Sequence, residues 1–346
     1  MSAARFHNLD AMRGVCALSV VLFHCEGLFA QGVVFCHGFL AVDAFFVLSG
    51  FVIAHTYEHR LGRSMSLRNF LQARLKRLTP VYWAGTILCS AMLAAVVHYK
   101  PAGTFYDPHL VLPLSAMALL LLPQWTLGGL AYPANPVAWS LMGEMFANVV
   151  YARWLFALRT RILLFVIAAG WIACAAYGYL NPYGWVFGAR ASDVWMTPIR
   201  ALPAFLAGIV LYRGYCAGMF ARLPAVSPLI PLLAWLVLAV VPSNGPTPSY
   251  DLTVVALASP LLIALLVRAE TIAPRACLWL GEISYPLYAS HLALIFLARN
   301  TPLLGLDQGP DPLRATLLIA ATLGLAWLIH RFVEQRAPKQ VQTAAA

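Results

Sequence analysis

A chain of 346 residues that is 61% hydrophobic and only 10% charged, with a mean hydropathy of +0.76, carries more apolar surface than a soluble domain of that size can hide from water. Its formal charge of +10 comes from 23 Lys and Arg set against 13 Asp and Glu. These cations are spread through the segments between apolar runs, which argues against nucleic acid as a partner and points to membrane topology and contact with anionic lipid in the bilayer. Apolar runs near span length recur at residues 9–30, 39–56, 80–97, 137–157, 162–180, 199–212, 226–242, 251–267, 277–297 and 313–333. The expected fold is an all-α, polytopic membrane bundle of about ten transmembrane helices. Residues 1–336 form one integral membrane domain, and 337–346, ending in QVQTAAA, form a disordered tail.

The first run, LDAMRGVCALSVVLFHC at 9–25, is interrupted by Arg13 and His24. Their spacing returns both to one helix face, about 16 Å apart along the axis. A charge and a titratable base in one membrane helix mark a functional site by default. No small-x-small cleavage site follows the run, so it stays attached rather than acting as a secretory signal.

The second run, FLAVDAFFVLSGFVIAH at 39–55, holds Asp43 near its outer boundary and Ser49-Gly50 near its middle. The missing side chain of Gly50 suits close helix packing. The following segment carries Arg60, Arg63, Arg68, Arg74, Lys76 and Arg77 and closes at Pro80, an ordinary positive-inside loop by count. Within it Arg74 and Arg77 share one helical face and make a suitable fork for phosphate oxygens.

The run from Val111 to Leu122 is short and carries Pro113, and charge decides its fate. Leaving it as a re-entrant or peripheral segment, with both termini cytoplasmic, puts 18 of the 23 Lys and Arg on the cytoplasmic side, all but Lys100, Arg190, Arg200, Arg299 and Arg314. The fourth span, VAWSLMGEMFANVVYARW from 137, sets Ser140 and Glu144 on one face. A carboxylate at that depth protonates or finds a partner, an Arg in the plainer reading.

Spans five to eight read as scaffold, with Arg200 and Pro203 opening the sixth and Gly208 suited to close packing. The ninth, LWLGEISYPLYASHLALIFLA from 278, carries Ser284, Tyr285, Tyr288, Ser290 and His291, with Tyr285, Tyr288 and His291 forming a polar stripe at intervals of three. The tenth ends in HRFVEQRAPK. The cysteines, at 16, 25, 36, 89, 174, 216 and 277, form no CxxC and read as small apolar packers, with a Cys25–Cys36 pairing open near the outer face. No metal is expected.

Counting along each span puts His24, Asp43, Glu144 and His291 about 10 Å below the outer surface, with Arg13, Arg74 and Arg77 at the cytoplasmic end. The expectation is a polar channel with a basic mouth inside and a His/carboxylate cluster outside. Intramembrane His and carboxylate groups also build proton relays, so a transporter or flippase is the alternative class, although the two halves show no internal repeat.

Arg13 with His24, DAFFVLSGF at 43–51, RLKRLTPVYW at 74–83, WSLMGE at 139–144, ISYPLYASH at 283–291 and RFVEQRAP at 331–338 resemble, in this order, the membrane-bound acyltransferase 3 family. The resemblance implies an O-acyltransferase of a bacterial-type inner membrane that carries an acyl group, usually acetyl, from cytoplasmic acyl-CoA to a hydroxyl of an envelope carbohydrate. It implies acetyl-CoA as donor, with Arg13, Arg74 and Arg77 on its phosphates. His24 would be the general base, with His291 as its rival, and Glu144 or Asp43 would orient it. Ser49, Ser140, Tyr285, Tyr288 and His291 would line or support the substrate site. Many members carry an extracytoplasmic hydrolase-like domain after the last span. Here only ten residues follow Arg336, so a separate extracytoplasmic transferase is the expected partner if a second transfer is needed.

Overall fold

The computed structural model describes residues 5–25, 35–99, 107–300 and 310–336, which leaves Lys100 and the predicted tail at 337–346 outside the described residues. Among the described residues the chain is helical, with only isolated bridges in place of strands. The α-helices are α1 (His7–His24), α2 (Ala41–Tyr57), α3 (Leu67–Tyr99), α4 (Val111–Leu119), α5 (Ala138–Val150), α6 (Thr160–Leu180), α7 (Thr197–Cys216), α8 (Leu229–Ala239), α9 (Pro248–Thr253), α10 (Ser259–Arg268), α11 (Pro274–Asn300) and α12 (Pro312–Ile329). Single π-helical turns extend α5 over Tyr151–Leu155 and α12 over His330–Glu334, and another joins α9 to α10 over Val254–Ala258.

Six stretches among the described residues are long and apolar enough to cross a membrane: Gly38–Tyr57, Leu67–His98, Thr160–Leu180, Val194–Cys216, Pro248–Arg268 and Pro312–Glu334. With the shorter apolar helices they make a polytopic membrane bundle. Helices α1 and α11 are not among them because polar residues dilute them, Asn8, Asp10 and Arg13 in one, Glu282, Tyr285, Tyr288 and His291 in the other. These are also the helices that carry both histidines of the candidate site. Helix α4 has nine residues and cannot span. It is fastened to α3 by the Tyr82 hydroxyl on the Ala118 carbonyl and by the Trp83 indole N–H on Leu119 O at 3.1 Å.

Two helix clusters share the core. In one, α11 packs against α1, α3 and α12; in the other, α7 packs against α2, α5 and α6; α1 and α2 join them. Small residues let the axes close up where side chains would hold them apart. A Cβ on Gly50 would lie 1.9 Å from the Phe205 carbonyl oxygen, and one on Gly208 would lie 2.0 Å from that of Val47, so α2 and α7 touch backbone to backbone. Gly85 of α3 meets α11 the same way, 2.3 Å from Ala289 O.

Polar fasteners hold the ends. His37 Nδ1 meets Asp251 Oδ1 at 3.0 Å in full burial, tying the entrance of α2 to α9. Arg213 of α7 binds Glu58 after α2 at 2.6 Å and the carbonyls of Phe156 and Leu158. The Cys25–Cys36 pairing does not form: both are described and neither is in a disulfide. The buried thiols of Cys16, Cys89 and Cys174 behave as the small packers expected.

Candidate functional site

His24 ends α1, and His291 sits in the middle of α11, the helix against which α1 packs. His291 Nε2 lies 3.2 Å from His24 Nδ1. Each ring also turns its Nδ1 to the carbonyls of its own helix: His24 to Val20 O at 3.0 Å, His291 to Tyr288 O at 2.8 Å and Leu287 O at 3.2 Å. Carbonyl oxygens only accept, so both Nδ1 atoms carry hydrogen. His291 Nε2 is then the acceptor in the pair, and His24 Nδ1–H donates to it and to Val20 O. In the neutral pair this leaves His24 Nε2 as the ring nitrogen with a lone pair. The contacts of the two rings are thus met by one tautomer of each.

Beside this pair lies a chamber of about 1020 Å³, its open mouth included, set between the two helix clusters. Arg13, Arg77 and Glu334 belong to its lining at one end; Ser140, Tyr288 and Ala289 belong to it at the other, and neither histidine does. Its walls are mostly apolar, with Val42, Phe45, Phe46, Val52, Ile53 and Leu141 among them. Tyr288 stands between chamber and histidines, its ring 5.6 Å from that of Phe45 and 6.0 Å from that of His291. Ser140 Oγ donates to Val137 O at 2.9 Å, so in the 2.6 Å contact between Ser140 and Tyr288 the phenol is the donor. Tyr285, one turn earlier, donates to Leu78 O at 2.8 Å and joins α11 to α3.

The carboxylates take arginines as partners, as the plainer reading of Glu144 allowed. Asp43 takes Arg200 in a two-pronged pair, Nε to Oδ1 at 3.0 Å and Nη2 to Oδ2 at 2.6 Å, while Arg200 Nη1 reaches the carbonyls of Trp185 and Phe187. Both side chains are buried, 2% and 0% exposed. Glu144 Oε1 accepts Arg74 Nη2 and Ser49 Oγ, each at 2.7 Å. Arg74 and Glu144 were expected at opposite ends of the channel; they touch because α3 starts at Leu67, well before the predicted span start at residue 80, and runs unbroken through Pro80. That carries Arg74 two turns into the bundle.

Arg77 remains at the mouth and forms no ion pair among the described residues; Arg13 lies 3.6 Å from Asp10, whose other oxygen is held by Arg5 at 2.9 Å. Glu334 accepts from His330 at 2.7 Å. Sequence reasoning missed Arg200 as the partner of Asp43, having counted it as a topology cation. Its signal was present, a cation near the outer entrance of a span at the depth assigned to Asp43. It also missed Glu334, which the π-helical turn brings into the lining. Among the described residues no group of three or more His, Cys, Asp or Glu is arranged to hold a metal.

A family profile described as an acyltransferase domain, acyltransferase 3, matches residues 6–331. The chain is 25% identical over 373 residues to the peptidoglycan O-acetyltransferase OatA of Listeria monocytogenes, a match that covers 94% of this chain and 55% of that protein. It is 28% identical over 320 residues to the exopolysaccharide production protein ExoZ of Rhizobium meliloti, covering 88% of this chain and 91% of that one. It is 38% identical over 160 residues to protein 2 in the picA locus of Rhizobium radiobacter, covering 43% of this chain and 82% of the relative. The chain thus spans about half the length of the Listeria relative. No solved structure matches it.

Proposed function

This chain belongs to the acyltransferase 3 family, and we propose that it carries an acyl group, acetyl first of all, from cytoplasmic acyl-CoA to a hydroxyl of an envelope carbohydrate, in a bacterial-type inner membrane. The observation that carries the reading is the histidine pair, 3.2 Å apart, set beside a chamber whose far end is basic. The names of the relatives, a peptidoglycan O-acetyltransferase and an exopolysaccharide production protein, support O-acetylation of a glycan. Arg13 and Arg77 at the mouth suit the phosphates of the donor, and the narrow apolar chamber suits its extended arm.

In the proposed reaction His24 Nε2 takes the proton of the acceptor hydroxyl as that oxygen bonds to the thioester carbonyl carbon. The imidazolium so formed keeps its Nδ1–H on His291 Nε2 and Val20 O, which stabilises the positive ring as it develops. When the C–S bond breaks, the proton returns from His24 to the sulfur, and ester and thiol are the products. His291 is the positioning residue; Asp43 belongs to the scaffold, and Glu144 to the donor chamber. A separate extracytoplasmic transferase remains the proposed partner for any second transfer.

The test is transfer from labelled acetyl-CoA by purified protein in liposomes, with mass spectrometry of envelope glycans from cells expressing it. His24→Ala is expected to reduce transfer by about 10²–10⁴-fold with insertion and yield unchanged. Wild-type rates from His24→Ala remove it from the base role. Uptake of a solute or lipid without consumption of acetyl-CoA turns the reading to a transporter.

A further inference from the structure

The chamber holds polar groups of two kinds. At the mouth, Arg77 makes no ion pair among the described residues and Arg13 is 3.6 Å from its nearest carboxylate. Deeper, Arg74 is charge-compensated: its Nη2 is on Glu144 Oε1, and the same oxygen takes Ser49. Yet Arg74 is not saturated. It is 5% exposed, it belongs to the chamber lining, and its Nε–H is buried with no hydrogen-bond partner. Glu144 keeps Oε2 without a hydrogen bond among the described residues, on a side chain 20% exposed to the chamber.

A phosphate at this depth would meet Glu144 within a hydrogen bond's length of the guanidinium it sought, so repulsion offsets the attraction. A secondary amide fits better. It brings one acceptor and one donor, and the cluster offers both kinds of partner at no net charge: N–H groups of Arg74, of which only one on Nη2 is engaged, and Glu144 Oε2 as acceptor. A buried donor left without a partner is costly, and a ligand carbonyl would satisfy it.

We infer that Arg74, Glu144 and Ser49 form a neutral binding station for the amide groups of the pantetheine arm, and that the phosphates of the donor are held by Arg77 and Arg13 alone. This rests on the acyl-CoA reading above and divides the donor site by chemistry: charge recognition at the mouth, amide recognition within. The arm would be gripped between the nucleotide and the thioester, which sets how far the thioester reaches towards Tyr288.

The experiment is equilibrium binding of CoA and of 4′-phosphopantetheine, which keeps both amides and lacks the adenosine and its attached phosphates, to the full-length protein in detergent. Arg74→Lys retains the charge beside Glu144 but removes the Nε–H donor, and Arg74→Met with Glu144→Gln removes both charges together so that neither is orphaned. Each is expected to weaken both ligands by the same factor, about tenfold. Arg77→Ala is expected to weaken CoA by a similar factor, and more at low salt, while 4′-phosphopantetheine changes less. If the Arg74→Met, Glu144→Gln variant instead weakens CoA alone and flattens its response to salt, Arg74 is a phosphate ligand and the inference falls. Unchanged affinity for both ligands in a correctly eluting variant overturns it as well, leaving a structural ion pair. Wild-type protein that binds neither ligand would bring down the acyl-CoA reading itself, a result distinct from wild type that binds while the Arg74 variants bind equally well.

Discussion

Two of the arginine–carboxylate pairs that tie helices of this bundle together, Arg200–Asp43 and Arg74–Glu144, differ in what each arginine has left to offer. Arg200 uses Nε, Nη1 and Nη2 on Asp43 and two loop carbonyls, with the guanidinium 5.2 Å from the ring of Trp139. It joins α7 to α2 and to the 185–187 loop in a saturated, dry site. Arg74 makes one contact, with Glu144, and faces a chamber with its Nε–H unmatched. The same residue types therefore act as a fastener in one place and as a receptive surface in the other. Burial of an ion pair does not distinguish them; the number of hydrogen-bonding groups left over does.

The largest effect is expected at the fastener. Arg200→Ala leaves Asp43 alone in a dry interior and should cost about 3–5 kcal/mol, seen as loss of the monodisperse detergent-solubilised species. Recovery of folded protein by a second change, Asp43→Asn, would confirm that the orphaned charge is the cause. Gly50→Val tests the helix crossing beside it. The added carbons collide with the Phe205 carbonyl, and about 1–3 kcal/mol should be lost as a lowered midpoint of thermal unfolding, with any remaining folded protein still binding CoA. Glu144→Ala should be milder on stability than Arg200→Ala, because Arg74 faces a chamber that admits water; a loss as large as that of Arg200→Ala would erase the contrast between the pairs. The smallest effect belongs to Ser49→Ala, which removes one neutral donor from Glu144 and should shift stability or CoA affinity by about 0.5–1.5 kcal/mol.

The membrane class, the helical segments and the two histidines were legible in the sequence because each depends on local pattern. A run of apolar residues has one reading at span length, and an Arg and a His on one helix face are visible by periodicity alone. Depth was less legible, because it was counted from span ends. The charged stretch before Pro80 reads as a loop, but it continues α3, and that shift moves Arg74 from the membrane edge to Glu144. The habit of triads points to a carboxylate, Glu144 or Asp43, as the partner of His24, with His291 only a rival base; α1 packs on α11 and so brings His291 to it. Which helices touch is set by small residues such as Gly50, Gly208 and Gly85, and spacing in one dimension carries no record of that choice.

The Tyr288–Ser140 hydrogen bond has a further meaning if, as proposed, donor and acceptor approach from opposite sides of a bilayer. In the proposed reaction only a small acyl fragment passes this point, while the nucleotide stays behind it. A catalyst that served both sides through an open pore would also leak protons and ions, dissipating the membrane potential. In that proposed reaction a partition one phenol thick, held by the 2.6 Å contact of Tyr288 with Ser140, would let chemistry cross an insulating barrier while the barrier stays electrically closed.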